Sequence, residues 1–197
     1  GYSINALAAF LGGGGLAIGF SAKDMIANLF GALTIYLDQP FKVGDWVRLP
    51  EKEIEGKIED IGLRVTRIRT FDKRPLYVPN FFFSTIVIEN ASRMTHRRIL
   101  ETIAVSHQNY DKYDAISKEV VEAMHENPMI DSGEDIVFNL TSSSSGGADM
   151  MFTAYTKRTA YKDFHEVKHT VLQEIIKIIE KNGVKVVEYQ PSTKVDL

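Results

Sequence analysis

Residues 12–28 read GGGGLAIGFSAKDMIAN. This stretch decides the fold, because it completes a run from Gly1 to Ala22 that carries no charged residue. About 20 apolar residues cross the hydrocarbon core of a bilayer as a helix. A secretory leader needs a basic start and a cleavage site, and the run has neither. A buried core helix is the alternative. Against it, Gly12, Gly13, Gly14, Gly15 and Gly19 each cost about 1 kcal/mol relative to alanine inside a helix. Small residues in that number suit close helix–helix approach in a membrane. Ala8, Ala9, Ala17, Ser21 and Ala22 extend the small surface. Between Gly12 and Ala22 the large side chains are Leu16, Ile18 and Phe20; Leu16 and Phe20 are four apart and share one helix face. A phosphate-binding loop would need a Lys-Ser/Thr pair after the glycines and a strand before them, and both are missing.

Outward from this stretch, the chain is apolar again from Met25 to Leu37. Ile26, Leu29, Phe30, Leu33 and Leu37 recur near 3.6 spacing, which predicts an amphipathic helix ending before Pro40. Thirteen helical residues cover only about 20 Å, so this piece suits an interface or the side of a neighbour. One span with a glycine-rich face is an odd membrane domain by itself, and further spans are expected upstream in the natural chain.

Beyond residue 40 the character changes. The whole chain of 197 residues is 44% hydrophobic and 25% charged, with a net charge of −3. Residues 1–40 hold three of its charges, Lys23, Asp24 and Asp38. The absence of cysteine excludes disulfide scaffolds, Cys zinc sites and thiol nucleophiles. A pI near 6.0 argues against a dedicated nucleic-acid binder. From Phe41 to about Ser92, short β-branched runs punctuated by Gly44, Gly56, Gly62 and Pro75 predict a small barrel or sandwich. Pro79-Asn80 opens a one-turn helix, and Ile86-Val87-Ile88 is expected as a strand. From Arg97 on, Ile99–Val105 predicts a strand, and the stripe Tyr113, Ile116, Val120, Met124 a helix. Strands at 136–140 and 150–155 flank a flexible loop at 141–147. A long helix runs from about Tyr161 to Asn182 on the stripe Phe164, Val167, Val171, Leu172, Ile175, Ile178, Ile179, stopped by Gly183. Val184–Val187 makes a last strand. The order β-α-β-β-α-β is ferredoxin-like.

In order along the chain stand residues 12–28, then Asp38-Gln39-Pro40-Phe41, Gly44-Asp45-Trp46-Val47 and Gly56-Lys57-Ile58. After them come Arg64-Val65-Thr66-Arg67-Ile68-Arg69-Thr70 with Asp72, Val78-Pro79-Asn80 and Asn90-Ala91-Ser92. This series resembles the small-conductance mechanosensitive channel family, the MscS type, over essentially the whole chain. The resemblance implies an α+β membrane-protein fragment. Its parts would be a pore-lining and interfacial helix segment (1–39), an Sm-like β-domain (40–95), a ferredoxin-like α/β domain (96–190) and a C-terminal strand region (191–197). It implies a homoheptamer in the cell (inner) membrane, multi-pass in the natural chain, with cytoplasmic C-terminal domains that form a vestibule. Membrane lipids and permeating ions and osmolytes are the implied partners. No cofactor, metal, nucleic acid or enzymatic step is implied. Leu16 and Phe20 fall on the family's hydrophobic seal, with Phe20 in place of the commoner leucine. Gly12, Gly15, Ala17 and Gly19 fall on its close-packing positions. Asp24 stands where a kink glycine often lies, and Gly31 is a nearby soft point.

Two other features compete. His165-Glu166-Val167-Lys168-His169 fits the zinc-peptidase spacing H-E-x-x-H on a helix. The plain reading is an exposed face opposite Phe164, Val167 and Val171, and no third-histidine extension follows. Residues 62–98 hold eight Lys/Arg against two acids, a net of +6, and residues 99–197 hold ten against sixteen, a net of −6. Placed just after a membrane segment, Arg64, Arg67, Arg69 and Arg74 suit anionic lipid or subunit contacts. An Sm-like ring tethered to the membrane as a binding module, without conduction, is the alternative function. Trp46 and Tyr36 suit interface anchoring, with packing in the β-domain as the other role for Trp46.

Overall fold

The computed structural model describes residues 4–144 and 147–187. The strand region expected at 191–197 and residues 145–146 of the loop expected at 141–147 lie outside the described residues. The chain divides into two compact units, one through Arg93 and one from Met94.

The first unit opens with a single helix, α1 (Ile4–Asp38), of 35 residues. The apolar segments on either side of Lys23-Asp24 are therefore one element, about 50 Å long. Asp24 and Gly31 both lie inside it, and with no proline present the i→i−4 ladder runs through them. The helix ends where Gln39 turns left-handed, φ 45°, its N–H closing on the Ile35 carbonyl at 3.0 Å. Pro40 cannot continue the ladder. Five strands follow: β1 (Trp46–Leu49), β2 (Ile54–Ile61), β3 (Val65–Arg69), β4 (Pro75–Pro79) and β5 (Glu89–Asn90). They form one antiparallel sheet in the order β4-β3-β2-β1-β5, with a bulge in β2 between Ile58 and Asp60. Alternate residues point inward, as period-2 strands require. Val47, Leu49, Ile58, Ile68 and Val78 pack with Phe41, Phe83 and Ile35 of α1. The core of the β-domain thus includes the end of the apolar helix.

Ile86-Val87-Ile88 is not a strand, although its β-branched side chains favour one. The Ile86 N–H is taken by the Phe82 carbonyl at 3.1 Å and the Val87 N–H by the Glu51 carboxylate at 3.3 Å. With those donors spent, pairing to β1 starts only at Glu89 and covers two residues.

The second unit comprises β6 (Arg97–Val105), α2 (Tyr113–Glu126), β7 (Val137–Ser144), β8 (Gly147–Thr156) and α3 (Tyr161–Lys181). The sheet order is β6-β8-β7. Val186 adds an antiparallel bridge to Val105 on the free side of β6, held by Ser106 N–H to Lys185 O and Val187 N–H to Ala104 O, each 2.9 Å. Fourth-first-third-second is the ferredoxin-like order. The loop expected at 141–147 is largely ladder, since Ser142, Ser143 and Ser144 pair with Asp149, Ala148 and Gly147 after a register shift past Leu140. One face of the sheet packs on the apolar faces of α2 and α3.

Candidate permeation pathway

From Gly14 onward α1 exposes an unusual amount of apolar surface. Leu16 is 66% exposed and Phe20 76%, and Ile18, Met25, Leu29, Phe30, Leu33 and Leu37 are exposed as well. A cytosolic helix would bury one such face, and apolar patches of this extent mark a membrane or partner surface. Residues 14–38 are long and apolar enough to cross a membrane. The two hydroxyls in this stretch other than Tyr36 bond back to the helix: Ser21 Oγ donates to Ala17 O at 2.9 Å and Thr34 Oγ1 to Phe30 O at 3.0 Å. An alanine methyl placed at Gly15 or Gly19 would meet nothing within 4 Å. Gly15 and Gly19, four apart, therefore share a smooth face that the single chain leaves uncovered, and exposed Ala17 adds a small residue on the opposite side of the helix. The surroundings of Gly12 lie outside the described residues.

The lower half of α1 behaves differently. Asn28, Gly31 and Ile35, spaced three and four apart, are buried. The 3-10 turn at Asn80–Ser84 receives them. Asn28 Nδ2 donates to Asp24 O at 2.8 Å, and its Oδ1 accepts the Phe81 N–H at 3.2 Å. Gly31 sits against the turn so closely that a Cβ there would lie 2.5 Å from the Asn80 carbonyl carbon and oxygen. Asn80 is fully buried. Its Nδ2 donates to Gly62 O at 2.7 Å, its Oδ1 accepts from Thr66 Oγ1 at 2.8 Å, and its N–H donates to Arg64 O at 3.0 Å. Buried polar groups satisfied this fully make a rigid seat. Gly31 is thus a contact glycine. Neither Asn28 nor Asn80 stands out in the sequence as a site residue, because one polar residue in an apolar run announces no partner.

Beside this seat a groove of about 690 Å³ is lined by Leu29, Phe30, Ala32, Leu33, Tyr36, Ile61, Gly62 and Leu63. Arg64, next to it in sequence, is exposed. The other three candidate arginines are engaged within the β-domain. Arg67 and Arg69 converge on Glu59, each at 2.8 Å, and Arg74 pairs with Asp72 at 2.7 Å. The Arg69 hydrogen bond, helped by the charges of Arg69 and Arg67, holds the Glu59 carboxyl below its ordinary range. Trp46 lies in the β-domain, its ring edge-on to Phe71 and its Nε1 donating to Glu55 at 2.9 Å; Tyr36 is exposed.

In the second unit, several acids are tied locally. Asp131 receives Lys157 at 2.9 Å and His96 at 2.8 Å, and its carboxyl falls to about 2, the Lys157 hydrogen bond contributing most. Lys181 and Asn182 hold Glu119 below its ordinary range, and Glu101 pairs with Lys168. His165, Glu166 and His169 lie on an exposed face of α3 with Tyr161 and Lys162. Among the described residues no group of three or more His, Cys, Asp or Glu is placed to hold a metal.

An apolar helix with an uncovered small-residue face, seated on a β-domain and followed by an α/β unit, defines a membrane protein of the α+β class. Residues 24–93 match the family description "Mechanosensitive ion channel, beta-domain", and residues 103–186 match "Mechanosensitive ion channel MscS, C-terminal". The chain belongs to the MscS-type mechanosensitive channel family. It is 38% identical over 183 residues to the low conductance mechanosensitive channel YnaI of Escherichia coli, covering 93% of this chain and 53% of that protein. To the small-conductance mechanosensitive channel MscMJ of Methanocaldococcus jannaschii it is 39% identical over 127 residues, 64% of this chain and 36% of the other. The cryo-EM structure of Arabidopsis thaliana MSL1 superposes with a TM-score of 0.88 at 28% identity, over 95% of this chain and 68% of that one. The closed-state crystal structure of Helicobacter pylori MscS, at 18% identity and a TM-score of 0.77 over 100% and 76%, shares the fold. The chain spans about half the length of the curated relatives it matches first.

Proposed function

We propose that this chain supplies the gate and the water-facing domains of an ion channel opened by membrane tension. One observation carries the reading. The upper part of α1 presents large apolar side chains and a smooth small-residue face that the chain does not cover, while its lower part is locked to a folded domain. Copies of α1, seven by the family likeness, cover that face by packing on one another around a central path. Leu16 and Phe20 then form a hydrophobic seal, and a narrow apolar constriction can close by dewetting. Tension favours the state of larger in-plane area and shifts a two-state equilibrium toward opening. Ions and small osmolytes leave on hypo-osmotic shock, and no bond is made or broken. Gly12, Gly15, Ala17 and Gly19 let neighbouring helices slide. Acyl chains occupy the groove beside Leu33 and Leu63, with the basic residues below it toward anionic headgroups. The natural protein is multi-pass in the cell membrane, with the two water-facing units in the cytoplasm. The test is a patch recording under graded suction. Tension-dependent unitary currents support the reading, with a lower threshold in Leu16→Ser and Phe20→Ser. Silent patches, or thresholds unmoved by both substitutions, overturn it and leave a tethered ring.

A further inference from the structure

α1 is fastened to the β-domain at a second place, and the two fastenings differ in kind. At the exit of the helix, Gln39 O accepts from Arg93 Nη2 at 2.7 Å and Pro40 O from Asn90 Nδ2 at 2.9 Å. Two carbonyls just past the helix are thus held by side chains about fifty residues later. Asp45 organises both. Its Oδ2 accepts from Asn90 Nδ2 at 2.8 Å and from the Lys42 N–H at 3.0 Å, and Arg93 Nε lies 3.8 Å away. Asn90 Oδ1 accepts the Ser92 N–H, and Ser92 Oγ accepts the Trp46 N–H. Burial pushes the Asp45 carboxyl up, but the Asn90 amide, the Lys42 N–H and the Arg93 charge outweigh it, so it stays ionised beside the guanidinium.

Arg93 is the last residue of the first unit. The knot therefore joins the point where α1 enters the β-domain to the point where the chain leaves it. The Asn28–Gly31 seat is buried, whereas the Arg93 side chain is 48% exposed and reaches α1 through one charge-assisted hydrogen bond. Contacts that are exposed and few are the ones that open and reclose locally. Gln39 is held at positive φ without being glycine, a sparsely populated geometry at the point where the tie is made.

We propose that Arg93, ordered by Asp45 and Asn90, is a positioning residue of the gate: it holds the end of α1 against the segment leaving the β-domain and sets how long the channel stays open under sustained tension. This rests on the channel reading above. Release of the tie lets the end of α1 relax while the seal region is untouched, so the closing rate moves and the opening threshold does not.

The experiment records the full-length channel in liposome patches under a held pressure step. Arg93→Ala and Asp45→Asn are each expected to speed current decay about fivefold, the low end for coupled elements. Arg93→Lys, which keeps a charge and a donor, restores decay to within about twofold of the parent. A structural role alone would shift threshold and thermal stability together without this rescue. Unchanged decay in both Arg93→Ala and Asp45→Asn overturns the proposal, and so does a changed threshold at constant decay. A parent channel that is silent defeats the channel reading instead. Amide exchange of residues 36–41 then decides the tie alone: faster exchange in Arg93→Ala sustains it, and an unchanged rate overturns it.

Discussion

α1 and α3 are both long and both carry apolar residues at helical spacing, yet they complete themselves in opposite ways. In α3, Phe164, Val167, Val171, Ile175 and Ile179 all face the sheet of their own unit and are buried. In α1, Leu16, Ile18 and Phe20 stay largely exposed, and Leu29 and Leu33 are only half covered beside the groove. The difference is in what lies between the large residues. α3 separates its apolar stripe by charged ones, so water and sheet each have a side. α1 separates its large residues by glycine and alanine, so no face is fit for water. A stripe closed within the chain reports on folding, and one left open reports on assembly.

That contrast breaks most directly by truncating one helix at a time. Ile175→Ala is expected to cost about 3 kcal/mol, the loss for a fully buried aliphatic side chain, measured by denaturant titration of the second unit. Phe20→Ala should leave that transition, and the melting of the β-domain, within about 0.5 kcal/mol of the parent, while lowering the suction needed for opening. Equal destabilisation by both would mean that α1 closes on its own chain after all.

The glycines sharpen the comparison within α1 itself. At Gly31 an added methyl would overlap the Asn80 backbone, and backbone cannot step aside. Gly31→Ala should cost about 2 kcal/mol by overpacking and separate α1 from its seat. At Gly15 nothing lies within 4 Å in the single chain. Gly15→Ala should raise helix stability there by about 1 kcal/mol, while the bulkier Gly15→Val disturbs gating. Thermal unfolding and threshold recordings on the three variants decide it. Normal gating in Gly15→Val would remove the case for a packed pore face.

The same contrast explains which features are legible in the amino-acid sequence. The stripe of α3 and the inward residues of β1–β3 can be recognised from spacing alone, because their partners lie within the chain and burial follows the period. Leu16 and Phe20 are legible as large residues on one helix face, both exposed in the chain, while their part in a seal remains a proposal. Ile86–Ile88 misleads, since propensity carries no information about donors already taken by Phe82 and Glu51. Likewise Ser142–Ser144 looks like a loop until Asp149 and Ala148 are placed opposite. Asn28, Gly31, Asn80 and the Asp45–Asn90–Arg93 knot are not legible as a set. Each meets its partner across a long stretch of chain, and a single residue does not announce that partner.

A smaller effect concerns pH in the second unit. The Asp131 carboxyl is lowered from an ordinary 3.8 to about 2, first by Lys157 and also by the Gly133 N–H and His96. A depressed acid contributes stability that is present above its unfolded value and lost as pH falls through the folded one. The second unit should therefore lose stability between about pH 4 and pH 2. Asp131→Asn should flatten that part of the melting-temperature profile. A profile identical in parent and variant would show that the cluster contributes nothing to folding.

The smallest expected effect is on selectivity, where the two charged regions oppose each other. Residues 99–197 carry ten Lys/Arg against sixteen Asp/Glu, a net of −6, and residues 62–98 carry +6. Seven copies would place about forty negative charges around one vestibule. Acidic linings raise the local concentration of cations. Much of this field is already spent. Asp131, Glu119 and Glu101 each sit beside a lysine, and Arg67 and Arg69 are likewise tied to Glu59. Screening at physiological salt confines what remains to about 8 Å, so only charges at the ion path count. Lys23 and Asp24, just after the proposed seal residues, nearly cancel. The outcome is a modest preference for cations that fades as salt rises, read from the reversal potential across a KCl gradient. A reversal potential on the anion side would place the basic belt at the ion path and leave the acidic unit outside it.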